Sequence, residues 1–305
     1  EVAGQFSVAI GNNALAAQSN ASSADAYNTA VGLNAGKLIT TGSLNTLIGG
    51  VSGDALTTGG QNVAVGQNSL TSATTSGNNT AIGYASMLAT TTGGQNTAVG
   101  AQSLDANTTG VSNVALGYNS MTANTQGYEN TAVGKDSLAS CTEGFENTTV
   151  GHNCGAGITT GDGNTFLGNA AGQATTTADF NTALGQAALA SNTTGFHNVA
   201  VGKDALDANT TGTHNVAVGL DSLQANTTAS DNTGIGHSAL ESNTTGTNNV
   251  ALGKNSGNAI TTGEKNVLLG NSAGLQGTNL TTGTQNICIG HDTGVSANGA
   301  ANQIA

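Results

Sequence analysis

Residues 96–112 read Asn-Thr-Ala-Val-Gly-Ala-Gln-Ser-Leu-Asp-Ala-Asn-Thr-Thr-Gly-Val-Ser, and variants of the same seventeen-residue phrase fill the chain. With the asparagine as position 1, the glycine at position 5 returns at Gly32, Gly49, Gly66, Gly83 and Gly100 and continues at that interval to Gly270. Gly11 and Gly290 add a copy at each end, so the 305 residues hold seventeen copies. A short period sustained over a whole chain is the mark of a solenoid, in which each repeat is one coil stacked on the last. The expected fold is all-β: a parallel β-solenoid, or β-roll, with one coil per seventeen residues. Coils stacked at about 4.8 Å predict a rod of roughly 80 Å with equivalent residues in register.

Length alone would suggest two domains, but the period makes residues 1–305 a single array of about seventeen coils. Both termini fall mid-coil. Gly4 takes position 15 of a preceding repeat, and Gln303, Ile304 and Ala305 take positions 1 to 3 of a following one. A solenoid end needs a polar cap, and neither end carries an obvious one, so the expectation is a segment of a longer protein or a unit that stacks end to end. Four extra residues enter between Gly11 and Gly32 and three between Gly270 and Gly290. They predict surface bulges near residues 16–26 and 275–279.

Composition narrows the partners. Seventeen acids face five lysines, for a net charge of −12. Nucleic-acid binding needs a cationic track that displaces counterions, so nucleic acid is not an expected partner. No apolar run approaches the roughly 20 residues needed to span a bilayer, so this segment is not expected to insert into a membrane. Proline is absent, which suits a chain whose backbone amides are spent on a strand ladder. Cys141, Cys154 and Cys288 sit at three different repeat positions; an odd number in unlike places is no disulfide framework. They read as small residues standing in for alanine, serine or asparagine.

Alternation along a strand assigns the faces of each coil. Positions 2 and 4 share one face and positions 1 and 3 the other. Position 4 is Val, Ile or Leu in every copy, including Val31, Ile48, Val65, Ile82, Val99, Leu116, Val133 and Val150. Position 9 is Leu or Met in ten coils and Gly in seven. Five of the glycine coils place a large aliphatic at or near position 12 instead: Ile39, Leu56, Ile158, Ile260 and Leu280. Position 3, usually alanine, becomes Leu47, Phe166 or Leu268 only in coils with glycine at position 9. Positions 3 and 9 are therefore expected to share one interior, as close packing demands, with positions 2 and 4 facing away. An aliphatic row of that length exceeds what a soluble monomer exposes; a second surface, most simply other copies of the chain, is expected to cover it. The alternative turns the strand over, with positions 2 and 4 inside and alanine outside.

Asparagine holds position 1 in sixteen copies, among them Asn28, Asn45, Asn62, Asn79 and Asn96. Its amide can bond the equivalent amide one coil up or support the neighbouring turn. The glycines at position 5 (Gly32, Gly49, Gly66, Gly83, Gly100) and position 15 (Gly42, Gly110) are expected at corners with positive φ. Threonine holds position 13 from Thr40 through Thr261. The glycine-9 coils come in groups, at Gly36 and Gly53, Gly155 and Gly172, and Gly257, Gly274 and Gly294.

The phrases at residues 96–110 and 181–195 resemble a repeat class found in bacterial surface fibres and phage tail fibres, and Ser7-Val-Ala-Ile-Gly11 resembles the head repeat of trimeric autotransporter adhesins. The resemblance implies a left-handed parallel β-roll with three chains packed about a common axis, acting in attachment outside the cell, on a bacterial surface or a virion tail. The adhesin heads use a somewhat shorter coil than seventeen residues. The implied partners are the chain itself, as a homotrimer with end-to-end stacking as an option, and a host-surface receptor or glycan.

Chemistry-bearing residues form no recognisable site. His152, His237 and His291 share position 6; His197 and His214 share position 17 of successive coils. Two histidines without a nearby carboxylate or thiol are a poor metal site, and neither metal nor cofactor is expected. Asp136, Asp204 and Asp221 share position 7 without the nonapeptide calcium repeat. Nothing suggests a catalytic triad or a phosphate loop, so no enzymatic activity is expected. Sequons at Asn107, Asn192, Asn209, Asn226 and Asn243 are formal glycan acceptors that the repeat itself creates. The variable corners, with Tyr84, Tyr118, Tyr128, Phe145, Phe196 and His197, are where surface contacts are expected. Three functions follow: an attachment fibre, a purely structural self-stacking filament, and an ice-binding solenoid suggested by the threonine row. The last is disfavoured because the threonines at positions 13 and 14 are adjacent, so they point to opposite faces if extended.

Overall fold

A computed structural model describes residues 6–19, 25–275 and 280–305. These form two compact units, Glu1–Asn147 and Thr148–Ala305. Both are all-β parallel solenoids on the seventeen-residue spacing, with no helix among the described residues. In the first unit, strands β1 (Val8–Ile10), β2 (Thr29–Val31) and so on to β8 (Thr131–Val133) pair in parallel, each with the strand of the coil before it from β2 onward. Val65 lies opposite Ile82, and Ile82 opposite Val99, as the period predicts. The second unit repeats the arrangement from β9 (Thr148–Val150) to β17 (Ile287–Ile289), with Leu184 opposite Val201 and Val201 opposite Val218. The insertions leave the ladder undisturbed: Val8 still faces Thr29, and Val267 still faces Ile287. Residues 20–24 and 276–279, where the two bulges are expected, lie outside the described residues.

Each strand covers only positions 2 to 4 because glycine ends it. Gly100 has φ of 138°, and a Cβ there would run into the carbonyl of Gly117 in the next coil. Both facts exclude a side chain. The glycine at position 15 corrects the expectation, since Gly42 and Gly110 are not in the left-handed region. Glycine there relieves crowding against the equivalent carbonyl one coil on, and Ser76, Ala178 and Ala229 occupy the same position in other coils. The left-handed corners lie elsewhere, at positions 7, 9 and 17, for example Gln102, Leu104 and Ser112 with φ of 56°, 54° and 58°. Outside the strand the coils remain tied by backbone bonds. Leu104, Ala106 and Thr108 donate forward to Ser120, Thr122 and Thr125, while Gln102 and Ser112 donate back to Tyr84 and Gly94.

The interior is as narrow as the substitution pattern predicts. Ala30, Ala64, Ala98, Ala183 and Ala200 at position 3 are buried, as are Leu70, Leu104 and Leu206 at position 9. The turned-over strand is thereby overturned: alanine faces in, and positions 2 and 4 face out. A Cβ on Gly36 would lie 2.8 Å from Cδ1 of Leu47 and 3.0 Å from Cδ1 of Ile39. A Cβ on Gly53 would lie 2.9 Å from Cδ2 of Leu47 and 2.9 Å from Cδ1 of Leu56. Leu47 thus fills the space of two missing leucines, its own coil's and the preceding one's. Phe166 stands the same way between Gly155 and Gly172, and Leu268 between Gly257 and Gly274. Each bulky residue at position 3 is thus matched by glycine at position 9 of its own coil and of the coil before.

Position-1 asparagines form a buried ladder that uses both bonding modes at once. Asn96 Nδ2 donates to the carbonyl of Gly110 at 2.9 Å, and its Oδ1 accepts the backbone N–H of Asn113 at 2.9 Å. Removing a buried partner exposes the other groups to the full desolvation cost, about 1–3 kcal/mol. Asn96→Ala is therefore expected to destabilise the first unit by about that amount, read as a lowered urea midpoint. A midpoint equal to wild type would show that the ladder is ornamental.

A second ladder runs through position 12. Asn124 Nδ2 donates to Asn107 Oδ1 at 3.0 Å, and Asn209 Nδ2 to Asn192 Oδ1 at 2.9 Å. It stops where the next coil carries Cys141 or Ile260, leaving the Oδ1 atoms of Asn124 and Asn243 without a partner. The threonine row is half-buried except at Thr74, which is exposed, and Thr108 Oγ1 donates to the carbonyl of Thr125 at 2.9 Å. The position-14 threonines, such as Thr109, stand exposed.

Candidate functional site

The outward face of the strands is the first candidate surface. It is built by alternation: once alanine is drawn inside, the branched residues at positions 2 and 4 must point out. Ile48, Ile82 and Val99 remain 39%, 37% and 38% exposed within the chain. Val31, Val65, Leu116 and Val133 in the first unit, and Val150 in the second, are half-exposed. Neighbouring aliphatics cover each other partly along the stack, so the row presents a corrugated apolar strip in each unit. Parallel pairing repeats it once per coil.

The corners form the second surface. Tyr84, Tyr118, Tyr128 and Phe196 are exposed as expected, and Phe145 is half-buried. Stacking of successive coils brings some together. Tyr128 and Phe145 lie face to face at 4.9 Å in the first unit. In the second, Phe196 sets its ring edge against His197 and His214 at 5.1 and 5.4 Å. Phe180, not singled out from the sequence, stacks on His197 at 5.7 Å. Its shared position 17 was the available signal. Tyr84 and Tyr118, two coils apart, have no ring neighbour among the described residues.

The titratable groups are mostly dispersed. Asp136 and Asp204 pair with the adjacent Lys135 and Lys203. Among the described residues, no group of three or more His, Cys, Asp or Glu could hold a metal ion. The cysteines are buried, and burial pushes the Cys154 thiol up to about 12, so it is almost entirely unreactive thiol at neutral pH. The sequon asparagines Asn107, Asn192, Asn209, Asn226 and Asn243 are buried in the position-12 ladder, so the folded chain offers none of them to a glycosylating enzyme. No protein-family model matches the chain, and a search of curated proteins gives no match.

Proposed function

We propose that the chain is an extracellular fibre segment, three copies packed side by side, that acts by multivalent attachment and without catalysis. The observation that carries this reading is the outward aliphatic row, repeated in register once per coil. Apolar strips of this kind mark association surfaces. A strip with a fixed axial repeat is matched tooth for tooth only by a surface of the same rise, and another copy of the chain is the simplest such surface. The number three, the left-handed roll and the setting on a bacterial surface or virion tail come from the resemblance of the repeat. The exposed aromatic corners supply many copies of a shallow contact, whose weak individual bindings add through effective concentration; a receptor or glycan is the proposed partner.

The test is retention of fluorescently labelled protein on a panel of host cells and immobilised glycans. Saturable retention that falls when Tyr128 and Phe196 are replaced by serine supports attachment. No retention on any surface, with rods joining end to end under the electron microscope, would leave the structural filament as the better reading.

A further inference from the structure

We propose that His197 and His214 form a surface chelate for a late first-row divalent cation, with copper(II) favoured. The positions are one coil apart in the second unit, and their side chains converge: His197 Nδ1 lies 3.2 Å from His214 Nε2. Two imidazole nitrogens at this distance share a hydrogen bond; a cation that displaces the shared proton lies off the line between them, and each exposed ring tilts to turn its lone pair toward it. Metal–nitrogen bonds of about 2.0–2.1 Å that span this gap enclose an angle of roughly 100°, close to the tetrahedral value and open enough for tetragonal copper.

The surrounding hydroxyls fix the tautomer this requires. Ser230 Oγ accepts from the Thr213 backbone N–H at 3.0 Å and from the Thr213 hydroxyl at 3.2 Å. With its proton spent on Ser230, Thr213 Oγ1 can only accept from His214, whose Nδ1 lies 3.0 Å away. His214 therefore carries its proton on Nδ1 and presents the Nε2 lone pair toward His197. A ligating imidazole held by its other nitrogen in this way is the usual outer-shell arrangement of metal sites. Phe180 stacked on His197 and the edge of Phe196 against both imidazoles hold the rings in place. The remaining coordination positions face solvent, since both histidines are exposed. Imidazole-only ligation in the Irving–Williams order puts copper(II) ahead of nickel and zinc.

The other histidines supply internal controls. His152 Nδ1 lies 3.2 Å from the Asn169 amide and His291 Nδ1 is 2.9 Å from Asp292; neither meets a second imidazole. The experiment is calorimetric titration of the untagged full chain with copper(II), alongside zinc(II) titration followed by imidazole NMR. Both histidines sit at positive φ, 57° and 58°, so the variants are His197→Asn and His214→Asn, because asparagine tolerates that region. One site per chain is expected, lost in either variant and weakened about tenfold in Thr213→Val. Copper binding unchanged by both histidine variants, or no saturable binding with the His197 and His214 resonances unmoved by zinc, would overturn the proposal.

Discussion

Replacing Phe166 with alanine is expected to cost the second unit about 3–5 kcal/mol, the range for emptying a buried phenylalanine site. The ring is wholly buried and fills space that in most coils belongs to a leucine or methionine at position 9. The converse change, Gly172→Leu, is expected to destabilise as well. Its Cβ would be driven into the Phe166 ring, and overpacking of a tight core costs about 1–3 kcal/mol. Combined, the two changes should restore most of the loss. They recreate the pairing of Ala183 with Leu189 in the next coil, where leucine adopts φ of 56°, the same as Gly172. Urea unfolding of the two single variants and the double one measures the coupling. Strictly additive losses would mean that the two positions do not share a slot.

The second large effect concerns assembly. If three copies pack through the aliphatic row, the triple change Val65→Asp, Ile82→Asp and Val99→Asp places nine carboxylates in one apolar contact. Each lost aliphatic contact removes about 1.5–3 kcal/mol, and an unpaired buried charge adds a larger penalty. Sedimentation velocity is expected to show the wild-type mass of three chains falling to one, with the circular dichroism of the coil retained because these side chains lie outside it. Thr109→Asp, on the exposed position-14 row, should leave the mass unchanged. A wild-type chain that sediments as a monomer at micromolar concentration would sink the trimer and leave the solenoid intact.

The solenoid, its register and its inward face were legible because they rest on volume and alternation. Leu47, Phe166 and Leu268 are too large to share an interior with leucine at position 9, and the sequence records that exclusion directly. The left-handed corners were harder to read. Leucine has no intrinsic preference for positive φ, yet Leu104 and Leu206 adopt it because closing the coil around a narrow interior demands it there. A clue existed in the alternation of Leu or Met with Gly at position 9, and in asparagine and aspartate at position 7 (Asn68, Asn119, Asp136), residue types that visit that region most readily. Position 15 misled for the opposite reason: its glycine answers to a carbonyl in the next coil, a contact invisible in a single repeat. The position-12 asparagine ladder was hidden by sequons that looked like surface features.

Near-identical coils carry a hazard during folding, because a strand that finds the wrong neighbour meets almost the same partner. Skipping one coil would still put valine beside valine and asparagine beside asparagine, so the ladders alone discriminate poorly. Leu47, Phe166 and Leu268 remove the ambiguity. Each tolerates only two glycine coils in sequence, and a slip that set Phe166 against a coil with leucine at position 9 would incur the overpacking cost of about 1–3 kcal/mol at once. The three bulky residues act as keys cut into an otherwise uniform stack, and a chain in which all three were made alanine, with leucine restored at position 9, would fold into the right shape with less certainty about which coil sits on which.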